Sequence, residues 1–300
     1  MPGCLGEVDA FRRVYYNNEV RTESIRELKL ITKPILLRRT KSQIQLNLPE
    51  KTIQKIVLPF GEKQKEIYRN TAMTFSRQVE NLIQEQGENR AQLAMFSALM
   101  RLRQICSDPA AVPGVIFTEM PVKIDHFLKS LEDHLLENES VIVFTQFLTT
   151  LNRIESELKR NKTPHYVLQG KMTSKDRVKT IAEFQKREEP AVMLMTLKTG
   201  GVGLNLTKAS VVYHLEPWWN PAVENQATDR AHRMGQKKDV KVYNLLIEGS
   251  LEEKIASLKI KKQTAFDRLF DANDESVEAV SRESNYSLSK DDFIYLLKSE

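Results

Sequence analysis

Between Val141 and Leu246 the chain alternates short apolar runs with amphipathic stretches of helical period, and that alternation leaves few folds open. VIVFTQF, HYVLQG, AVMLMTL, VVYHLE and VKVYNLL read as strands. The run VIVF is apolar and rich in β-branched residues, the pattern of a strand buried on both faces. Between the strands, VKIDHFLKSLEDHLLE, LTTLNRIESELKR and SKDRVKTIAEFQK carry apolar residues at helical spacing. Strands alternating with helices of this length predict an α/β fold, a parallel sheet with helices on both faces. Such sheets hold their ligands at the carboxyl ends of the strands. The segments there are Gln146 after the first strand, Gly170 after the second, TLKTGGVGLN after the third and PWWNP after the fourth.

The rest of the chain divides around this block. Residues 1–58 are mixed, with a proline stop at Pro34 and a basic cluster at Arg38, Arg39 and Lys41. Residues 59–114 are an N-terminal helical insertion, broken near Gly87 and bounded by Pro109, Pro113 and Gly114. Residues 115–250 hold the sheet, and 251–300 a long charged brace helix with an acidic tail. Residues 271–300 contain eight acids and three bases, leaving 42 bases against 32 acids in the first 270. A basic body suits a polyanion, nucleic acid above all, although ordinary solubility charge explains the same balance.

No apolar run reaches the length of a membrane span, and the first residues lack a basic-then-apolar signal pattern, so an intracellular setting is expected. That would be cytoplasm or nucleoid in a bacterium and nucleus in a eukaryote. Cys4 and Cys106 are far apart, and five scattered histidines show no metal-ligand spacing, so no metal is expected.

The stretch NPAVENQATDRAHRMGQ at 220–236 reads as one helix. Asn220 suits the N-cap, Pro221 the first helical position and Gly235 the left-handed stop. Within those limits Gln226, Arg230 and Arg233 fall at i, i+4 and i+7 and predict a donor-rich stripe fit for phosphate oxygens. A solvated basic face fits the spacing equally. Gly200, Gly201 and Gly203 allow close backbone approach to a ligand, with Lys198 and Thr199 beside them, though a tight turn alone also explains them. Trp218 and Trp219 are the only tryptophans, and one is expected buried and one exposed. No G-x-x-x-x-G-K-[ST] occurs, nor an apolar strand ending in an Asp-Glu pair. A chain of this kind working on ATP lacks the half that grips the triphosphate.

Taken in order, VIVFTQF, LQGKMTSKDRVKTIAEF, TLKTGGVGLNLTKAS, WWNPAVENQATDRAHRMGQ and SLEEKI resemble the second RecA-like lobe of Swi/Snf-type DNA translocases of helicase superfamily two. Upstream, PGCLGEVDAFRRVY and ITKPILLRRTKSQIQLNLPEKT are similar to the end of the family's first lobe, and the likeness runs to about Phe270. The resemblance implies that two lobes close on ATP with Mg²⁺, gripped mainly by a first lobe whose front is not in this sequence. It implies arginine fingers at Arg230 and Arg233 with Gln226 beside them, and a nucleotide-coupling turn at Gly201 and Gly203. Gln146, Gly170, Thr196, Lys198, Thr199 and Trp219 match positions close to double-stranded DNA. Thr199 stands where alanine is commoner and Glu216 where aspartate is commoner, and no role is assigned to Glu216. The expectation is one half of an ATP-driven duplex-DNA motor, inactive alone. A non-enzymatic DNA-binding module and a protein-interaction piece are the alternatives.

Overall fold

The computed structural model describes residues 48–197 apart from 87, together with 199, 204–260 and the short pieces 5–7, 10–11, 27, 30–31 and 295–296. Nearly all of these belong to one compact unit, Leu48–Leu258 with Leu288–Glu300. The other unit, Met1–Asn47 with Lys259–Ser287, holds only the remaining short pieces.

The unit is built on a six-stranded, wholly parallel sheet. In chain order the strands are β1 (Lys51–Leu58), β2 (Ser140–Thr145), β3 (His165–Leu168), β4 (Val192–Thr196), β5 (Ala209–His214) and β6 (Val240–Ile247). Their order across the sheet is β1-β6-β5-β2-β4-β3. Parallel strands need crossovers, and the helices supply them on both faces. These are α3 (Val122–Leu136), α4 (Leu148–Arg160), α5 (Ser174–Lys186) and α6 (Pro221–Thr228). The α/β architecture expected from the alternation is the one formed.

Two-sided burial accounts for the sequence pattern. Every residue of β2 and β5 is buried. Their side chains alternate between two cores, as the strand period requires. Ile142, Phe144, Met193, Met195 and Val212 join one core with Phe184 of α5 and Ala227 of α6. Val141, Val143, Val192, Leu194 and Val211 join the other with Ile124, Phe127 and Leu131 of α3 and Leu151, Ile154 and Leu158 of α4. The helix starts follow local chemistry too. Thr173 caps α5 by accepting from the Asp176 N–H at 3.2 Å, which satisfies a donor the helix leaves open.

Preceding the sheet core are α1 (Glu62–Gln86) and α2 (Glu88–Ser107), the expected helical insertion. They share a third core, in which Val79, Met95, Leu99 and Leu102 meet Leu251 and Ile255 of α7, the helix described over residues 251–260. One strand has no counterpart in the sequence reading. Residues 51–58, left within the mixed first segment there, pair along their whole length with β6. The reason is visible in KTIQKIVL, whose apolar residues are interleaved with lysines and a glutamine in the manner of an edge strand.

Between α3 of the second sheet core and α7 of the helical core, the Lys123 ammonium meets the Glu252 carboxylate at 2.6 Å, both essentially without solvent exposure. Lys123 also donates to the Leu215 carbonyl, and Glu252 accepts the Ile247 N–H at 3.0 Å. Burial pushes the Glu252 carboxyl above its ordinary range, and Lys123 pulls against that. Removing one partner of such a pair strands the other charge. Glu252→Gln is expected to cost about 3–5 kcal/mol in urea unfolding, and Lys123→Met combined with Glu252→Leu to recover most of it. A loss below about 1 kcal/mol in the single variant would show that the pair is not structural.

Candidate functional site

The carboxyl ends of the strands gather most of the residues singled out by sequence. β2 runs on into Gln146, β3 towards Gly170, β4 ends at Thr196 and leads to Thr199, and β5 continues into Leu215–Trp219. The connection from β2 leaves towards β4 and β3, whereas the one from β5 leaves towards β6. The gap between the ends of β2 and β5 is therefore the topological switch point, where open α/β sheets hold ligands.

Here the switch point is filled by the chain itself. Glu216, 1% exposed, lies across it. Its carboxylate accepts from Thr145 Oγ1 at 3.0 Å, from the Gln146 N–H at 2.8 Å and from Ser107 Oγ on α2. The flanking carbonyls are held as well. Lys123 Nζ donates to Leu215 O, and Arg103 Nη2 donates to Pro217 O at 2.8 Å. Arg103 is wholly buried, and its guanidinium lies 4.4 Å from the Trp219 ring centre and 5.5 Å from that of Trp218. Burial lowers its pKa, against the opposing pull of Glu216, Glu252 and Glu224. The loop then closes on α6, since Glu224 Oε1 accepts the Trp218 N–H at 2.6 Å.

Neither tryptophan is fully buried or fully exposed, contrary to the expected split. Both are partly covered, because Trp218 packs on the sheet core and Trp219 on the helical core. Gln146 is also half-buried. Its Nε2 reaches Pro217 O at 3.4 Å, and its Oε1 is buried without a hydrogen-bond partner among the described residues.

At the neighbouring strand ends Thr196, Thr199 and Gly170 come together. Thr199 Oγ1 lies 2.7 Å from Thr196 O, 2.9 Å from Thr196 Oγ1 and 3.3 Å from Leu168 O. A methyl group added at Gly170 would lie 4.0 Å from Thr199 Cγ2. The Thr199 hydroxyl is thus turned inward, where it ties the ends of β3 and β4. Lys198, Gly201 and Gly203 lie outside the described residues.

The arginine helix is shorter than its spacing predicts. Its start is as expected, with Asn220 Oδ1 accepting from the Ala222 N–H at 2.9 Å and Pro221 in the first position. Gly235 adopts a φ of 101°. Between them, however, α6 ends at Thr228 and tight turns follow. The Arg230 carbonyl accepts from Leu206 N–H at 2.9 Å, and the N–H groups of Arg230 and Ala231 fold back three residues, to Ala227 and Thr228. Thr228 is itself held by His214 at 2.9 Å. Contacts with β5 and with the segment just before it thus outweigh helix propagation. Gln226, Arg230 and Arg233 do not form one helical stripe. Gln226 and Arg233 are exposed, while Arg230 is 7% exposed and its pKa is lowered by burial and by Arg233, with Asp229 opposing.

Sequence reasoning passed over Arg103, Ser107, Lys123 and Glu252, and left Glu216 without a role. One signal was available. Arg103 falls four residues after Leu99 and three before Cys106, a charge on the apolar face of its helix. The histidine spacing likewise hid one cluster, in which His134, Glu137 and Glu139 converge. Lys241 pairs with both carboxylates there, at 3.5 and 3.0 Å. His134 uses both ring nitrogens, on Glu139 at 2.9 Å and Tyr213 at 3.0 Å, so the group is satisfied as an ion-pair network.

Comparison with known proteins supplies the family. Residues 122–235 match the helicase conserved C-terminal domain, and residues 1–111 match the SNF2-related domain. An uncharacterized ATP-dependent helicase of Mycoplasma genitalium is 37% identical over 263 residues, which cover 88% of this chain and 25% of that protein. The chain spans about a quarter to a third of the length of such curated relatives. Among solved structures, the Sulfolobus solfataricus SWI2/SNF2 ATPase core in complex with dsDNA is similar at a TM-score of 0.63 and 27% identity. That match covers 96% of this chain and 62% of the other. The C-terminal domain of the same ATPase matches at a TM-score of 0.60 and 26% identity, covering 80% of this chain and all of that domain. Two domain matches in series, on a parallel sheet of this topology, place the chain among the Swi/Snf-type proteins of helicase superfamily two, in the region of their RecA-like C-terminal lobe.

Proposed function

We propose that this chain is the second motor lobe of an ATP-dependent double-stranded-DNA translocase. The observation that carries the reading is the carboxyl edge of the sheet. There Gln146, Gly170, Thr196, Thr199 and Trp219 come from four consecutive strand ends, in a chain similar to an ATPase core that was solved on duplex DNA. In this reading Gln146, Gly170, Thr196, Lys198, Thr199 and Trp219 lie along the duplex. Contacts of that kind follow backbone shape and charge rather than base sequence. Gly201 and Gly203 form the turn that couples nucleotide to DNA.

Arg230 and Arg233 are the arginine fingers, with Gln226 beside them. Phosphoryl transfer spreads charge over the transferred oxygens, and a fixed guanidinium stabilises it. The side chains present fit that role in different ways. Arg233 is exposed and free of helix geometry, while buried Arg230 sits in a drier setting where a charge acts more strongly. ATP and Mg²⁺ would be gripped mainly by the first lobe, since this chain carries no phosphate-cradling lysine loop.

The exposure of Arg233 makes it the cleaner test, because exposed side chains rarely contribute more than about 0.5 kcal/mol to stability. In the complete two-lobe protein, Arg233→Ala is expected to lower DNA-stimulated kcat by about a thousandfold or more, with duplex affinity within about twofold of wild type. Undiminished turnover would remove Arg233 from the finger role. This chain alone is expected to show no ATP turnover with or without duplex. Its duplex affinity should fall about tenfold or more between 50 and 200 mM salt, as the release of counterions from two or three phosphates requires. A flat salt response, measured by anisotropy, would speak for a protein-interaction module instead.

A further inference from the structure

We infer that Arg103, which comes from the helical insertion, positions the two loops that the motor reading places on DNA. Those loops are Pro217–Trp219 and, through Glu216 and Pro217, Gln146–Phe147. The inference rests on that reading for its functional half. Its structural half stands on Arg103 alone.

Arg103 lies at a seam. Trp218 packs with the sheet core and Trp219 with the core of the helical insertion, and Arg103 faces both rings. The Phe147 ring centre is 6.0 Å from the same guanidinium. One group therefore contacts three aromatic rings while donating to Pro217 O from 114 residues away. Gln146 Nε2 reaches that same carbonyl, and the Gln146 N–H is held by the carboxylate of Glu216. Any displacement of α2 against the sheet moves the guanidinium, and with it the carbonyl and indoles it holds.

The chemistry calls for arginine. A planar guanidinium can stack beneath an indole and donate in its own plane at once, whereas an ammonium offers a point charge with no face. Glu216, Glu224 and Glu252 supply the negative charge that a wholly buried cation needs. Arg103 is wholly buried beneath the loops. It acts through Trp219 and Gln146 and is a positioning residue.

Trp218 and Trp219 are the only tryptophans, so their emission reports on the loop directly. The experiment measures emission, acrylamide quenching, far-UV circular dichroism and duplex affinity for this chain and for variants at Arg103 and Trp219, singly and combined. Arg103→Lys keeps the charge but loses the plane. Arg103→Gln keeps a planar donor but loses the charge. Arg103→Lys is expected to shift emission to the red, raise quenching and weaken duplex binding about tenfold with an unchanged dichroism spectrum. Arg103→Gln should be closer to wild type in both readouts, a ranking that charge alone would reverse. In the double variant with Trp219→Phe, the affinity loss should not exceed that of the worse single variant, since both act through one contact.

Wild-type emission and affinity in Arg103→Lys overturn the inference, and so do additive losses in the double variant. If the lysine variant does not fold, Arg103→Met, which has neither the plane nor the charge, takes its place with the same expected shift and loss. Shifted emission with unchanged affinity overturns the link between loop position and DNA, and a joint change supports it. A wild-type chain that binds no duplex at low salt overturns the motor reading. The loop half is then judged by emission, and no shift in either variant overturns it.

Discussion

A carboxylate without water must be surrounded by donors, and Glu216 sits where such donors come from three directions. Its oxygens take a hydroxyl from α2, a hydroxyl from the end of β2 and the first N–H beyond it. On either side, Lys123 and Arg103 hold the carbonyls of Leu215 and Pro217. Each bond taken alone is modest. Together they make the exits of β2 and β5 a single object, because every bond ends on Glu216 or on a carbonyl beside it. The switch crevice that other α/β proteins keep open for a ligand is used here to weld loops together.

The sheet was legible because two-sided burial writes itself into composition. VIVF and VMLM admit no polar face, and the intervening helices carry their apolar residues three and four apart. What resisted reading was decided by partners far away in sequence. α6 stops at Thr228 because Leu206 claims the Arg230 carbonyl, and nothing in ATDRAHRM announces that. β1 is a strand because β6 offers it a free edge, and its own mixed sequence suits a linker as well. The placement of Gln146, Gly170, Thr196 and Trp219 at or just beyond strand ends was legible, since topology sets it. Side-chain directions were not, as the inward hydroxyl of Thr199 and the half-covered Trp219 show.

The same division separates the two arginines. On one continuous helix they would have been equivalent neighbours facing a common direction. With the helix ended early, Arg230 is packed within the protein and Arg233 stands in solvent. The two guanidiniums therefore differ in mobility and in local dielectric, the properties that set how strongly a cation acts at a distance.

The pairing of β1 with β6 also bears on how the chain comes off the ribosome. Glu50 and Asp239, bonded at the start of that pairing, are 189 residues apart. At about 5–20 residues per second, roughly 10–40 s pass between the emergence of the first strand and that of its partner. During that interval KTIQKIVL lacks its β6 partner. The lysines at 51 and 55 flank Ile53 in the manner of gatekeepers against unwanted pairing with other nascent chains. The edge of the finished sheet is thus also its last piece to be laid, and its charges serve the waiting strand before they serve the folded protein.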